Sequence, residues 1–289
     1  MGMVILLAAT YVFTPVVVPG ENVVQIFGIN DREQTMVTTD LSSGTFHRGT
    51  YTRLPPPPSG YQVTGIGINN AGVITGPATI GSGTEQGFIL RGTTYAFFSR
   101  PGWDNTEPRA IANSGLITGY NFSSDFTKFA GFIYNPDTNT FTDATPPGST
   151  RTITQGMNAA GRICGDGRQP GLGRYAFVWQ QGKLKKGKNE FVPFLERVGV
   201  VDSSSAARGI NDAGLITGFT VVGGETVGFV GNSARGYQLL IPPGAAAGTG
   251  NVCEGINNDA QVVCAFTDAA GNTHAFIGSP RDDEDDDQR

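Results

Sequence analysis

Residues of the kind that do chemistry are few in this chain. It has two histidines, His47 and His274, and three cysteines, Cys164, Cys253 and Cys264. Zinc sites want spacings such as CxxC or HExxH, and calcium loops want alternating Asp with a Gly; neither pattern occurs. The acidic run Asp282–Asp287 attracts cations but offers no fixed cage, so no metal and no cofactor is expected. No GxSxG nucleophile turn exists. A Ser/His/Asp set would have to use His47 or His274, which both read as ordinary strand residues. Glycoside cleavage needs two carboxylates within a few ångströms, and Asp40, Asp104, Asp125 and Asp166 lie where inner strand ends could converge, but spacing does not bring any two together. Cys164 stands alone without a nearby base and reads as packing. No catalytic residue is assigned, and the expectation is a protein that is not an enzyme.

Cys253 and Cys264 flank the ten residues GINNDAQVVC in a way that invites pairing. A hairpin closing with Asn257 opposite Ala260 would set the two cysteines face to face. A bulged turn would shift the register by one residue and misalign them. The disulfide Cys253–Cys264 is therefore a candidate whose fate hangs on the turn.

That decapeptide is one of six. GINNAGVITG at Gly67–Gly76 recurs as AIANSGLITG from Ala110, GMNAAGRICG from Gly156, GINDAGLITG from Gly209, GINNDAQVVC from Gly255 and a worn GINDREQTMV from Gly28. Asn and Gly tolerate left-handed backbone, and apolar residues flank the tetrad on both sides, so each copy reads as a β-hairpin with a type I turn and a bulge. The repeat turn residues are Asn30, Asn69, Asn113, Asn158, Asn211 and Asn257. A phosphate-binding glycine loop would open a helix and occur once, and neither holds here.

Two further pieces accompany each hairpin. A Phe strand (QGFILRG from Gln86, AGFIYNP from Ala130, HAFIGSP from His274) runs through a tight tip into a Tyr/Phe-Thr strand (TYAFFSRPG, NTFTDATPPG) that ends in Pro and Gly. Proline cannot continue a central ladder, so a loop begins there. Four short strands per repeat, with anchors Ile29, Ile68, Ile111, Met157, Ile210 and Ile256 spaced 39 to 53 residues apart, match a propeller blade. The order from axis to rim is GIN strand, ITG strand, Phe strand, Tyr-Thr strand. The sixth copy lacks its last strand, and Tyr11–Val18 precedes the first copy as a strand without a blade. The expectation is an all-β, six-bladed β-propeller closed by that N-terminal strand, with an open array or β-solenoid as the alternative.

Composition agrees. There are 42 Gly and 17 Pro, only 16% of residues are charged, and no helical stripe is sustained. The formal charge of −5 is concentrated at the end: without Arg281–Arg289 the chain has 19 acids against 18 bases. Such a body lacks the basic surface that nucleic acid requires, so no nucleic-acid partner is expected. Residues 1–10 are an apolar leader, read either as the remnant of a signal peptide or as an extra strand, and too short to span a membrane. Residues 11–280 form one repeat domain, and 281–289 an acidic tail expected to be disordered. Four of the five lysines fall in the insert Lys183–Asn189, read as a solvated loop, and Pro55–Pro58 reads as a linker.

The combination of YVFTPVVVPG, GINNAGVITG and NTHAFIGSP, over Tyr11 to Pro280, resembles the HAF-repeat family of extracellular bacterial repeat proteins. The resemblance implies secretion and brings no catalytic residue. The functional expectation is a secreted binding or scaffold module for a glycan, a matrix component or a protein. The alternatives are a carbohydrate-active enzyme using the channel and a structural surface-layer component.

Overall fold

The computed structural model describes residues 10–81, 83–170, 173–180, 205–245 and 250–281. The leader through residue 9, the lysine insert and the acids from Asp282 onward lie outside the described residues.

Six antiparallel sheets stand around a central channel as a six-bladed β-propeller. Blade 1 contains β2 (Val23–Ile29), β3 (Thr35–Thr39), β4 (Ser43–His47) and β5 (Thr50–Arg53). Blade 2 has its inner strand broken into β6 (Tyr61–Val63) and β7 (Gly67–Ile68), followed by β8 (Ile74–Ile80), β9 (Thr84–Arg91) and β10 (Thr94–Phe98). Blade 3 holds β11 (Asn105–Ile111), β12 (Ile117–Phe122), β13 (Phe129–Asn135) and β14 (Thr140–Asp143). Among the described residues blade 4 shows β15 (Arg151–Met157), β16 (Arg162–Gln169) and β17 (Gly173–Gln180). Blade 5 is β18 (Ala206–Ile210), β19 (Ile216–Val222), β20 (Glu225–Asn232) and β21 (Gly236–Leu240). Blade 6 supplies β22 (Val252–Ile256), β23 (Val262–Thr267) and β24 (Thr273–Pro280), and β1 (Tyr11–Val16) adds its outer strand. The pairing runs from Tyr11 opposite Pro280 to Val16 opposite Ala275, so the first strand closes the ring and covers the edge of β24.

The core is distributed between blades. Six clusters of buried apolar residues occupy the six blade interfaces. The repeated Phe of the third strand is the largest single contributor: Phe88, Phe132 and Phe229 are wholly buried. Removing a side chain of that size from a packed core costs about 3–5 kcal/mol.

The motif glycines have a separate task. The Cβ that an L-residue would add at Gly67 meets the Cα of Ala110 at 2.9 Å, and at Gly209 it meets the Cα of Gly255 at 3.1 Å. At Gly255 it meets the Cα of Gly28 at the same distance. Neighbouring inner strands therefore touch backbone to backbone around the axis, and the first motif position must be small.

Cys253 and Cys264 are joined by a disulfide, and both are fully buried. The turn between them is bulged: Ala260 is left-handed, at φ +59°, and Ile256 faces Val262. That one-residue shift is undone by a second irregularity at Glu254, after which Cys253 faces Cys264. Two compensating bulges give the register that a tight turn alone would have given.

Candidate functional site

The channel has two different ends, separated by the collar of Ile29, Ile68, Ile111, Met157, Ile210 and Ile256. The hairpin tips form one end. There the Asn in the third motif position does two things. Its Oδ1 accepts from backbone N–H groups of its own turn, as Asn69 does from Ala71 and Val73 at 3.1 and 3.0 Å. Its Nδ2 donates to the backbone carbonyl of the same position in the next blade. Asn30 reaches Asn69, Asn69 reaches Ala112, Asn158 reaches Asn211, Asn211 reaches Asn257, and Asn257 returns to Asn30, all at 3.0–3.2 Å. The ring lacks a single link, at Ala112. Asn113 was the expected turn residue of blade 3; it lies in that turn one position later, where Asn70 stands in blade 2.

The fourth motif position repeats the arrangement. Asn70 N donates to Asn113 Oδ1, Asp31 N to Asn70 Oδ1, Asn258 N to Asp31 Oδ1, and Asp212 N to Asn258 Oδ1, at 2.8–2.9 Å. Burial works against the charge of Asp31, but hydrogen bonds from Asn258 and Asn70 outweigh it and hold the carboxyl below its usual range. Most polar groups of this end are spent on one another.

The other end is built from the residue just before each motif. In blades 3 to 6 this residue sits at a β-bulge, between Pro108 and Ala110, Thr154 and Gly156, Ala207 and Gly209, and Cys253 and Gly255. A bulge leaves its extra residue outside the ladder and re-aims the side chain. Arg109, Gln155, Arg208 and Glu254 accordingly line the channel, completed by Phe27 and Ile66. The cavity they surround is small, about 100 Å³.

These side chains form an incompletely satisfied network. Arg109 Nε donates to Gln155 Oε1 at 2.8 Å and Nη1 to Glu107 Oε1 at 3.1 Å, and the guanidinium lies over the ring of Phe27. Burial opposes its charge, but Glu107 and Glu254 outweigh burial and raise its pKa. Glu254 Oε2 stands 3.7 Å from both Arg109 Nη2 and Arg208 Nε. That is too long for a hydrogen bond, and Arg208 Nε is buried with no hydrogen-bond partner.

The network continues into a pocket of about 390 Å³ at the same end, lined by residues of blades 2 and 3. Glu107 accepts a hydrogen bond from the Tyr120 hydroxyl. Burial first, and Glu107 second, push the Tyr120 pKa up. Glu85, from the start of β9, enters the same pocket. Its pKa is raised to about 7, first by burial and then by the charge of Glu107. Its Oε2 is buried without a protein partner.

Phe122, Phe126 and Phe129 form the other wall. Phe122 stacks on Phe126 with centroids 5.3 Å apart and on Phe129 at 5.9 Å. Phe126 is 66% exposed and left-handed, at φ +56°, a conformation that bulky residues avoid. Its turn is braced on both sides: Asp104 accepts from Ser124 N at 2.8 Å, and Asp125 accepts from Ser123 and Thr127, which lowers its pKa to about 2.

The acids proposed from the sequence do not form a site. Asp104 and Asp125 brace the Phe126 turn, Asp40 binds Asn22, and Asp166 pairs with Arg174 at 2.8 Å. None of the four lines the channel. His274 stacks on Phe266 and bonds Asp268 at 2.8 Å. Cys164 is a buried thiol whose pKa burial pushes up to about 12, which leaves it inert near neutrality. The residues that do converge could have been found in one way. Aligned on the motif, the preceding position reads Phe, Ile, Arg, Gln, Arg, Glu, while the motif beside it barely changes.

No family model and no curated protein matches the chain. Solved structures similar to it include one provisionally described as a gluconolactonase, at 11% identity and TM-score 0.49, covering 94% of this chain and 93% of that one. Another is the extracellular domain of a provisional hybrid two-component system from B. thetaiotaomicron, at 9% identity and TM-score 0.47; it covers 95% of this chain, which spans 40% of that protein's chain. A third is a triple arginine-to-alanine mutant of AofleA from Arthrobotrys oligospora, at 10% identity and TM-score 0.48, covering 93% and 83%. The expectation that this protein is not an enzyme is set aside, because a structure described as a gluconolactonase stands among those similar to it. Among the described residues no helix is long and apolar enough to cross a membrane.

Proposed function

We propose that the protein is a secreted, glycan-binding propeller of the HAF-repeat type, and that its working surface is the end of the channel away from the hairpin tips. One observation carries this reading: the side chains that break the repeat gather there. Planar polar groups (Arg109, Gln155, Arg208, Glu254) share this end with an aromatic stack whose outer ring, Phe126, is exposed over the half-buried Phe129 and the buried Phe122. Guanidinium, carboxamide and carboxylate groups bond to sugar hydroxyls, and aromatic faces stack on the C–H faces of sugar rings. Secretion rests on the family resemblance and fits the buried disulfide, since such bonds persist in oxidising compartments.

A specific observation supports a second reading, turnover of the bound glycan. Glu85 keeps its proton to about pH 7 beside Glu107, which is held by Arg109 and Tyr120. Carboxyls with divergent environments are the usual acid and base of glycoside cleavage.

The test is a polysaccharide binding screen on the whole chain, with released sugar measured after long incubation. Saturable binding that falls at least tenfold in Phe126→Ala supports the assignment, and product release would add catalysis at the same face. Binding untouched by Phe126→Ala and by Arg208→Ala would move the ligand elsewhere and overturn it.

A further inference from the structure

The pocket between blades 2 and 3 is poorly equipped for a neutral sugar. Asn105 is already committed, with Oδ1 accepting from Glu85 N at 2.9 Å and Nδ2 directed at the Phe122 carbonyl. The Tyr120 hydroxyl is committed to Glu107, and Glu107 to Tyr120 and Arg109. What is left is a carboxylate oxygen, Glu85 Oε2, buried with no protein partner. An orphaned buried polar atom is destabilising, more so when charged, and calls for a donor.

The charges point the same way. Glu107 is neutralised by Arg109 at 3.1 Å, whereas among the described residues Glu85 forms no ion pair. Arg151, the other nearby cation, lies over the Phe129 ring with its guanidinium carbon 4.0 Å from the centroid, on the neighbouring blade. The electron-rich face of the exposed Phe126 favours positive charge as well. A ligand with an apolar face for the shelf and an N–H⁺ donor for Glu85 satisfies every unmet group in the pocket.

Resting on the glycan reading above, we infer that the pocket lined by Glu85, Tyr120, Phe122, Phe126 and Phe129 selects a protonated amino sugar. The ring C–H face lies on the exposed Phe126, and the ammonium donates to Glu85 Oε2. The cavity of about 390 Å³ has room for one to two such units. Capture of the ammonium also relieves the repulsion between Glu85 and Glu107, so binding draws the Glu85 pKa down and releases a proton near neutral pH.

Three tetrasaccharides of the same linkage separate the outcomes by calorimetry on the whole chain: β-1,4-linked glucosamine, its N-acetylated form and the corresponding glucose oligomer. The glucosamine tetramer is expected to bind at least tenfold more tightly than the other two. Glu85→Gln is expected to erase that preference while the melting temperature holds or rises, and Phe126→Ala to weaken binding without erasing the preference. Affinity for the amine that survives Phe126→Ala undiminished would place the cation elsewhere on this acidic protein and overturn the site. Equal or tighter binding of either uncharged tetramer, or a preference that persists in Glu85→Gln, overturns the inference and leaves glycan binding standing. Binding of none of the three, together with a negative polysaccharide screen, removes both.

Discussion

The two ends of the channel are made from adjacent residues of the same six strands, yet they solve different problems. At the tip end, Asn30, Asn69, Asn158, Asn211 and Asn257 contribute the same side chain in the same geometry, and each bond links one blade to the next. At the far end, three positions earlier in each strand, the blades contribute Phe, Ile, Arg, Gln, Arg and Glu. The tip end is close to saturated; the far end keeps Arg208 Nε and Glu85 Oε2 buried without hydrogen-bond partners. Repetition serves assembly, because a ring of equivalent blades is stitched best by equivalent bonds. Departure from repetition marks where something other than the next blade is to be contacted.

The largest expected effects separate the two ends by what they damage. Asn257→Ala removes the bond to the Asn30 carbonyl, the bond to Gln261 Oε1 and the acceptor for Gln261 N. At about 0.5–1.5 kcal/mol each, with some relaxation, the expected loss is about 2 kcal/mol of stability. Phe126→Ala removes an exposed ring and is expected to change stability by less than about 0.5 kcal/mol. Denaturant melts of both variants, run beside the binding assay, give the crossed outcome: the first loses stability and keeps ligand, the second keeps stability and loses ligand. A Phe126→Ala melt as damaged as that of Asn257→Ala would mean that the shelf is core, and the contrast would fail.

A smaller effect separates them by pH. Glu85 has a folded pKa of about 7, above its unfolded value, so the folded state holds the proton more tightly. Its contribution favours folding below the unfolded pKa and is lost as pH rises from the unfolded value through about 7. Asp31 has the opposite sign: its folded pKa is lowered, so its contribution is present above the unfolded value and lost in acid. Glu85 is only about half buried, so solvent screening reduces the penalty to about 1 kcal/mol. Glu85→Gln is expected to gain that much over the wild type at pH 8 and nothing at pH 4. A gap between the two proteins that stays constant across this range would show that Glu85 does not titrate as its surroundings require.

The sequence made the tip end legible and hid the far end for physical reasons. Turn chemistry is local, so GINNAG could be read as a hairpin. Its glycine also reports a long-range constraint, the contact of Gly67 with Ala110, because the constraint recurs in the five copies that begin with Gly. The closing strand was readable as a counting problem, one strand too many at Tyr11 and one too few after His274. The register of Cys253 and Cys264 depended on two bulges that cancel, and only one of them was visible in the turn. The bulges at Arg109, Gln155, Arg208 and Glu254 leave no mark in residue type, so the variation at that position was visible but its direction toward the axis was not. Glu85 and Glu107 come from different blades and meet only when the ring is assembled. Residue type alone did not mark Phe126; its left-handed turn is braced by Asp104 and Asp125, which the sequence offered only as candidate channel carboxylates.

The smallest expected effect tests whether the tip ring really is a set of interchangeable parts. Blade 3 has Ala112 where the other five have Asn, but its turn makes the same backbone bonds, Ala112 N to Leu116 O and Gly115 N to Ala112 O, both at 2.9 Å. Leu116 N is met there only by Ser114 Oγ, at 3.5 Å. An Asn at this position would offer Oδ1 to that N–H and Nδ2 to the Asn158 carbonyl, completing the ring. Ala112→Asn is therefore expected to raise stability by about 0.5–1 kcal/mol, the worth of one or two net hydrogen bonds less the entropy of fixing the side chain. A thermal melt that rises by a few degrees would establish the ring as modular. A fall would locate a cost in the neighbouring cluster of Ala144, Met157 and Ile163, against which Ala112 packs. It would mean that the break between blades 3 and 4 is built in, and that even the repetitive end departs from sixfold equivalence where packing demands it.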